Sequence, residues 1–412
     1  MIVRSRTARL AVGLAAASLV VTACGSRSSS SDAPSAGGSG SAAATKTVKI
    51  GLIAPLTGDL SAVGLGMKNS LDLAVKQANT AGTIKGWTIQ TEPLSDDGLP
   101  GPAQNAATTL ASDDEVGGVV GTLNSSTALI AAPILTKAGI VMVSPANTNP
   151  SLTQGADYLT AKKRQFPTYF RTATPDAVQG PFAAQYVYNT LKITKVATVN
   201  DGKAYGKGLV TTFEAEFKKL GGTVTGSQTI SDTDKNFASL VTKLKPSAPG
   251  LVYYGGEYPQ AGPLSGQLAQ GGLAVPLMGG DGLYDPQFIA LGGRANDLST
   301  SVGAPIETLS SGSGFVSAYK AASYPEAYGA YGGYTFDAAN AIIKALASTL
   351  PDATSVKDAR ADIVGAVQAV KFDGVTGPVA FDEYGDATNR TLTAYKVTNK
   401  AWVAAKTGTV TG

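Results

Sequence analysis

Short apolar runs alternate along most of this chain with segments whose apolar residues recur every three or four positions. Residues 48–56 (VKIGLIAPL) read as a strand. Leu60, Val63, Met67, Leu71, Val75 and Ala78 then fall on one face of a helix. The alternation continues with a strand at 87–91, a helix at 101–112, a strand at 116–121, a helix at 125–137 and a strand at 139–143. A second series opens with a strand at 195–199 and a helix carrying Leu209, Val210, Phe213, Phe217 and Leu220. It runs on through a strand at 223–230, a helix at 236–244, a strand at 250–254, a helix near 259–270 and a strand at 275–279. Apolar strands joined by helices predict parallel sheets buried on both faces. Two such series predict an α/β protein with two doubly wound, Rossmann-like lobes. The tail changes pattern, with helices near 313–322, 334–349 and 355–369 before short strands at 378–381, 391–397 and 400–404. Its helices are expected to complete the first lobe and its last strands to return to the second. That assigns 47–172 and 305–382 to lobe 1, and 173–304 and 383–412 to lobe 2.

The N-terminus breaks the alternation. Arg4, Arg6 and Arg9 precede an apolar run from Leu10 to Val21, too short to span a bilayer comfortably and suited to an export signal over residues 1–23. The run ends in Val21-Thr22-Ala23-Cys24, which resembles the lipobox of bacterial lipoproteins, where cleavage precedes the cysteine and its sulfur is lipidated. Residues 24–46 are mostly Ser, Gly and Ala. They bury too little to offset their ordering entropy, so a flexible tether is expected. The body is thus read as leashed by Cys24 to the outer face of a cell membrane.

Composition narrows the chemistry. The 412 residues include no His and one Cys, which removes Ser-His-Asp triads, Cys-His dyads, His-ligated metals and multi-cysteine clusters. No metal or cofactor is expected. The formal charge of +3 is too small for a nucleic-acid surface. It also belongs to the signal: loss of Arg4, Arg6 and Arg9 lowers Lys+Arg from 33 to 30, level with 30 Asp+Glu.

Ligands of open parallel sheets sit beyond the carboxyl ends of the strands, and polar clusters fall at five such ends: 124–127 (NSST), 144–148 (SPANT), 201–206 (DGKAYG), 255–259 (GGEYP) and 280–282 (GDG). Ser125 and Ser126 at a helix start offer hydroxyls beside free backbone amides, which suits a carboxylate. Asp281 between glycines suits an ammonium. Such receivers on opposite lobes would clamp a free amino acid. Each cluster taken singly also reads as a helix cap or a turn. Asp96-Asp97 and Asp113-Asp114-Glu115 read as caps or solvated turns, and Lys162-Lys163-Arg164 as a solvated loop. Tyr205 and Tyr331 are candidates for a pocket wall.

Together with 53–60 (IAPLTGDL), 170–181 (FRTATPDAVQGP) and 372–385 (FDGVTGPVAFDEYG), the order of these motifs resembles the type I solute-binding proteins of ABC importers, in particular the Leu/Ile/Val-binding family. The resemblance covers nearly the whole body. It implies two lobes joined by three crossovers, closing on a free amino acid for delivery to a permease and ATPase, in a monomer. It further implies that Ser125, Ala146 and Thr148 hold the ligand carboxylate and part of the ammonium, that Tyr205 closes over the ligand from the second lobe, that Asp281 pairs the ammonium and that Tyr331 forms a wall. Val63 and Glu257 depart from the pattern, standing where the Leu/Ile/Val binder has tyrosines. Unpaired burial of Glu257 would be costly, so it is expected either to face solvent or to accept a polar or cationic side chain. Two other readings stay open: a sensory module acting on a separate partner, and a hydrolase using Asp281 and Glu257 as a carboxylate pair.

Overall fold

The computed structural model describes residues 45–410. The export signal 1–23, Cys24 and the tether up to residue 44 lie outside the described residues, as do the last two.

The first sheet is built from β1 (Lys46–Ala54), β2 (Trp87–Ser95), β3 (Val116–Gly121), β4 (Val141–Ser144) and β5 (Tyr169–Arg171), in the order β2-β1-β3-β4-β5 and parallel throughout. Its connections include α1 (Ser61–Thr80), α2 (Pro100–Ser112), α3 (Ser125–Lys137) and the short α4 (Ser151–Gln154). Alternation along β1 explains its two covered faces: Val48, Ile50 and Leu52 pack with Met67 and Leu71 of α1, whereas Ile53 joins Leu110 and Leu135 of α2 and α3. Pro55, which has no amide hydrogen to donate, follows the end of β1, two residues short of the predicted end. At its other end β1 starts at Lys46, one residue inside the expected tether. Gly64 and Gly66 let α1 lie close to its surroundings, since an added Cβ would meet the Pro55 carbonyl oxygen at 1.9 Å and that of Ala327 at 2.5 Å.

The chain then crosses to a second sheet through α5 (Asp176–Gln185). That sheet comprises β6 (Lys195–Asn200), β7 (Thr223–Thr229), β8 (Leu251–Gly255), β9 (Leu277–Gly279) and β10 (Leu298–Ser301), connected by α6 (Ala204–Lys219), α7 (Ala238–Leu244), α8 (Tyr258–Gln270) and α9 (Pro286–Ala290). Tyr253 and Tyr254 point to its opposite faces, the first stacked on Phe213 of α6 with ring centroids 3.7 Å apart, the second packed in the cluster with Leu264 of α8. The chain returns to cover the first sheet with α10 (Ser313–Ala322), α11 (Gly332–Thr349) and α12 (Val356–Ala369), followed by a hairpin of β11 (Lys371–Gly374) and β12 (Gly377–Ala380). A third passage leads to β13 (Leu392–Thr398) and β14 (Ala401–Gly408), antiparallel strands that complete the order β14-β13-β10-β9-β8-β6-β7.

The three passages meet. The Thr174 hydroxyl, in the first, lies 3.1 Å from the Val302 carbonyl oxygen of the second and 3.2 Å from that of Asn389 in the third. Both sheets belong to one compact unit.

Several elements differ from expectation. β2 extends to Ser95 because β1 pairs with it along its whole length. β5, α5, α9, β10 and β11 were not predicted. In α5 the Gly180-Pro181 pair looks like a break, yet Gly180 is required: a Cβ there would come within 2.1 Å of Thr212 on α6. β10 reads LSTS and is fully buried, its hydroxyls satisfied by Gly280 O, Gln179 Oε1 and Gly303 O. Arg164 is no member of a solvated loop: it lies over the Phe170 ring at 4.8 Å and donates to the carbonyls of Glu383 and Pro167 at 2.9 and 3.0 Å.

Candidate functional site

The carboxyl ends of both sheets face one cavity of about 480 Å³, its mouth included. Ser125 is the first residue of α3, buried, with its hydroxyl 3.4 Å from the Asn149 amide. Ala146 lies in the turn after β4, where the Ser144 hydroxyl accepts from the Ala146 and Asn147 amides at 3.2 and 2.9 Å. Arg171 fixes this turn from behind. Fully buried, it donates to the carbonyls of Asn147 and Asn149 at 3.0 and 2.9 Å, to Thr153, and to Asp386 at 2.6 Å. The Arg171 charge keeps the Asp386 carboxyl below the ordinary carboxylate range, although burial pushes the other way.

From the second sheet come Tyr205, in the first turn of α6, and Asp281, directly after β9. Gly206 lets α6 start against β8, since a Cβ would meet the Gly255 carbonyl oxygen at 2.3 Å. Asp281 is the centre of the site. Its Oδ1 accepts from Tyr205 and Gln179, both at 2.9 Å, and its Oδ2 from Tyr331 at 2.7 Å. Tyr331 stands at the start of α11, so this last bond bridges the two lobes. Burial raises the Asp281 carboxyl; Gln179, Tyr331 and Tyr205 oppose that rise.

Glu257 does not turn to solvent; its partners are a polar and a cationic side chain of the protein itself. It accepts from Asn124 across the cleft, and its Oε2 lies 3.7 Å from Lys203 Nζ, which also pairs with Asp232 at 3.2 Å. Burial raises the Glu257 carboxyl against the pull of Lys203, and Asp201 behind it is pushed up to about 7 by burial and then by Glu257. Other contacts join the lobes at the rim: Ala204 donates its amide to Ser126 Oγ at 3.1 Å and accepts from Asn149 Nδ2, and Tyr258 donates to the Asp59 carbonyl at 2.7 Å.

Of the seven residues singled out from sequence, Ser125, Ala146, Tyr205, Glu257, Asp281 and Tyr331 line the cavity together. Thr148 does not line it; it is buried behind the wall, its carbonyl accepting from the Asp176 amide at 2.8 Å. Asn124 and Lys203 lie in the strand-end clusters 124–127 and 201–206 but carried no assigned role in the sequence, and Gln179 lay outside every cluster. Gln179 follows Asp176 by three positions on α5, a spacing that puts both on one helix face and was legible in principle. The remaining wall combines Leu60, Val63, Leu123 and Ala330 with Tyr258, Tyr284 and Asp285.

A family model described as periplasmic binding protein matches residues 47–401. The chain belongs to the periplasmic binding protein family. This periplasmic binding protein is 33% identical over 359 residues to the Leu/Ile/Val-binding protein BraC3 of Rhizobium johnstonii, covering 87% of this chain and 92% of that one. Its fold is similar to that of the leucine-binding protein LivK of Thermotoga maritima, with a TM-score of 0.78 at 26% identity over 87% of this chain and 98% of that one. It is similar also to LivJ, a branched-chain amino acid transporter substrate-binding protein of Streptococcus pneumoniae solved with isoleucine, at a TM-score of 0.77 and 26% identity over 88% of this chain and all of that one. The two-lobed α/β architecture is the type I periplasmic-binding fold. Among the described residues no helix is long and apolar enough to cross a membrane.

Proposed function

We propose that this protein captures one free amino acid between its lobes and delivers it to the permease and ATPase of an ABC importer. The observation that carries the reading is the opposition, across one cavity, of the α3 N-terminus with Ser125 and the buried acid Asp281. Free amides and a hydroxyl at a helix start attract the ligand carboxylate, and Asp281 attracts its ammonium. Ala146 and Thr148 supply the turn beside the carboxylate, Tyr205 closes from the second lobe and Tyr331 forms the wall. The two lobes are 47–172 with 305–382, and 173–304 with 383–412. A ligand gripped from both favours their closed arrangement, which a permease can read. The names of the relatives, Leu/Ile/Val-binding and leucine-binding, point the same way. A hydrolytic pair is disfavoured because Asp281 is engaged by three donors and Glu257 by Asn124 and Lys203. Calorimetric titration of the purified protein with free amino acids is expected to show binding at one ligand per chain, and silence across the whole set would overturn the proposal.

The protein works, on this reading, at the extracytoplasmic face of the cell membrane, as a monomer attached through lipidated Cys24 once residues 1–23 are removed. More than one acyl chain makes such attachment stable. Cys24→Ser is therefore expected to move the protein from the membrane pellet to the soluble fraction; persistence in the pellet would contradict the anchor.

A further inference from the structure

With the ligand's charged ends assigned to Ser125 and Asp281, its side chain is left facing Leu60, Val63 and Leu123, the rings of Tyr258 and Tyr284, Asp285, whose carboxylate takes the Gln287 amide, and the pair Asn124 and Glu257. That pair is incompletely satisfied. Glu257 takes the Asn124 amide nitrogen on Oε1, whereas its Oε2 has Lys203 only at 3.7 Å, beyond hydrogen-bond distance. The contact with a carboxylate fixes the Asn124 amide with its nitrogen toward Glu257. Its Oδ1 is turned away from the cavity and buried beside Gly98. The acceptor the wall presents without a close donor is therefore Glu257 Oε2. A hydrocarbon laid there would strip residual water from it and return no hydrogen bond. A carboxylate would meet like charge from Glu257. A side chain with an apolar stem and an N–H or O–H at its tip satisfies both features of the wall.

We infer that the cleft selects an amino acid whose side chain ends in a hydrogen-bond donor over an aliphatic one of the same shape, with Glu257 as the specificity-determining residue and Asn124 positioning it. This rests on the amino-acid-binding reading above. Sites built to bond a polar group reject the analogue lacking it more strongly than apolar pockets distinguish isosteres.

The test uses near-isosteric pairs on the full chain: threonine against valine, asparagine against leucine, and glutamine against glutamate, with alanine as a ligand that has no tip. The first member of each pair is expected to bind at least about tenfold more tightly. Glu257→Leu is expected to narrow the threonine–valine and asparagine–leucine gaps, and Glu257→Gln, which keeps an acceptor oxygen, to retain the preference. Valine and leucine binding as tightly as their partners, or more so, would overturn this inference alone. Binding of none of the seven would also overturn this inference, and silence across every free amino acid would overturn the underlying reading with it.

Discussion

Asp281→Asn is expected to weaken amino-acid binding by about 2–5 kcal/mol, the cost of truncating one partner of a buried hydrogen-bonded charge pair. The substitution keeps the shape of the side chain and an acceptor oxygen for Tyr205 or Tyr331, so what it removes is chiefly the charge that an ammonium requires. Apo stability should not fall with it. The Asp281 carboxylate is buried among three neutral donors, and its raised pKa, caused first by burial, marks the charge as costly where no ammonium pairs it. Loss of affinity with an unchanged or higher melting temperature is thus the expected pattern. Calorimetry on the two proteins checks it, and equal affinities would remove Asp281 from the site.

A comparably large effect is expected on stability rather than on binding when Asp386 becomes Asn. Arg171 is fully buried and has no other charged partner within salt-bridge distance among the described residues. Removing one member of such a pair leaves an uncompensated buried charge, a loss of about 3–5 kcal/mol. The sign of the pH dependence follows from the lowered Asp386 carboxyl. Its contribution is present above the unfolded carboxylate value of about 4 and is lost as pH falls through the lower folded value. Wild type and Asp386→Asn should therefore differ most near neutrality and converge in acid. Denaturant unfolding at neutral and acidic pH measures both; equal midpoints at neutral pH would show that Arg171 has found another partner. Because Arg171 also holds the carbonyls of Asn147 and Asn149, the variant should loosen the turn that carries Ala146 and Thr148.

The elements legible in the sequence are those whose burial is written in side-chain hydrophobicity. Val48, Ile50 and Leu52 alternate, and Met67 and Leu71 recur at helical spacing, because each packs on one face of a layered sheet. β10 was illegible because its burial is satisfied by hydroxyl groups bonding to carbonyls and to Gln179, a tertiary fact that no local pattern carries. α5 was hidden by Gly180 and Pro181, residues that usually stop a helix and here let α6 approach. Missing α5 meant missing Gln179, the residue that ties Asp281 to β10. The positions of Ser125, Tyr205, Asp281 and Tyr331 around one cavity followed from strand ends and motif order. The partners of Glu257 did not, because Asn124 and Lys203 reach it from a different lobe and a different loop. Nor did the isolation of Thr148 behind the wall, which depends on how the turn after β4 folds around Arg171.

A crystal structure grown with the amino acid that calorimetry selects would place that ligand directly. A ligand held between Ser125 and Asp281 has its ammonium within about 3.2 Å of an Asp281 carboxylate oxygen and its carboxylate at the N-terminal amides of α3. A ligand bound away from both, or bound with these ends reversed, would contradict this placement.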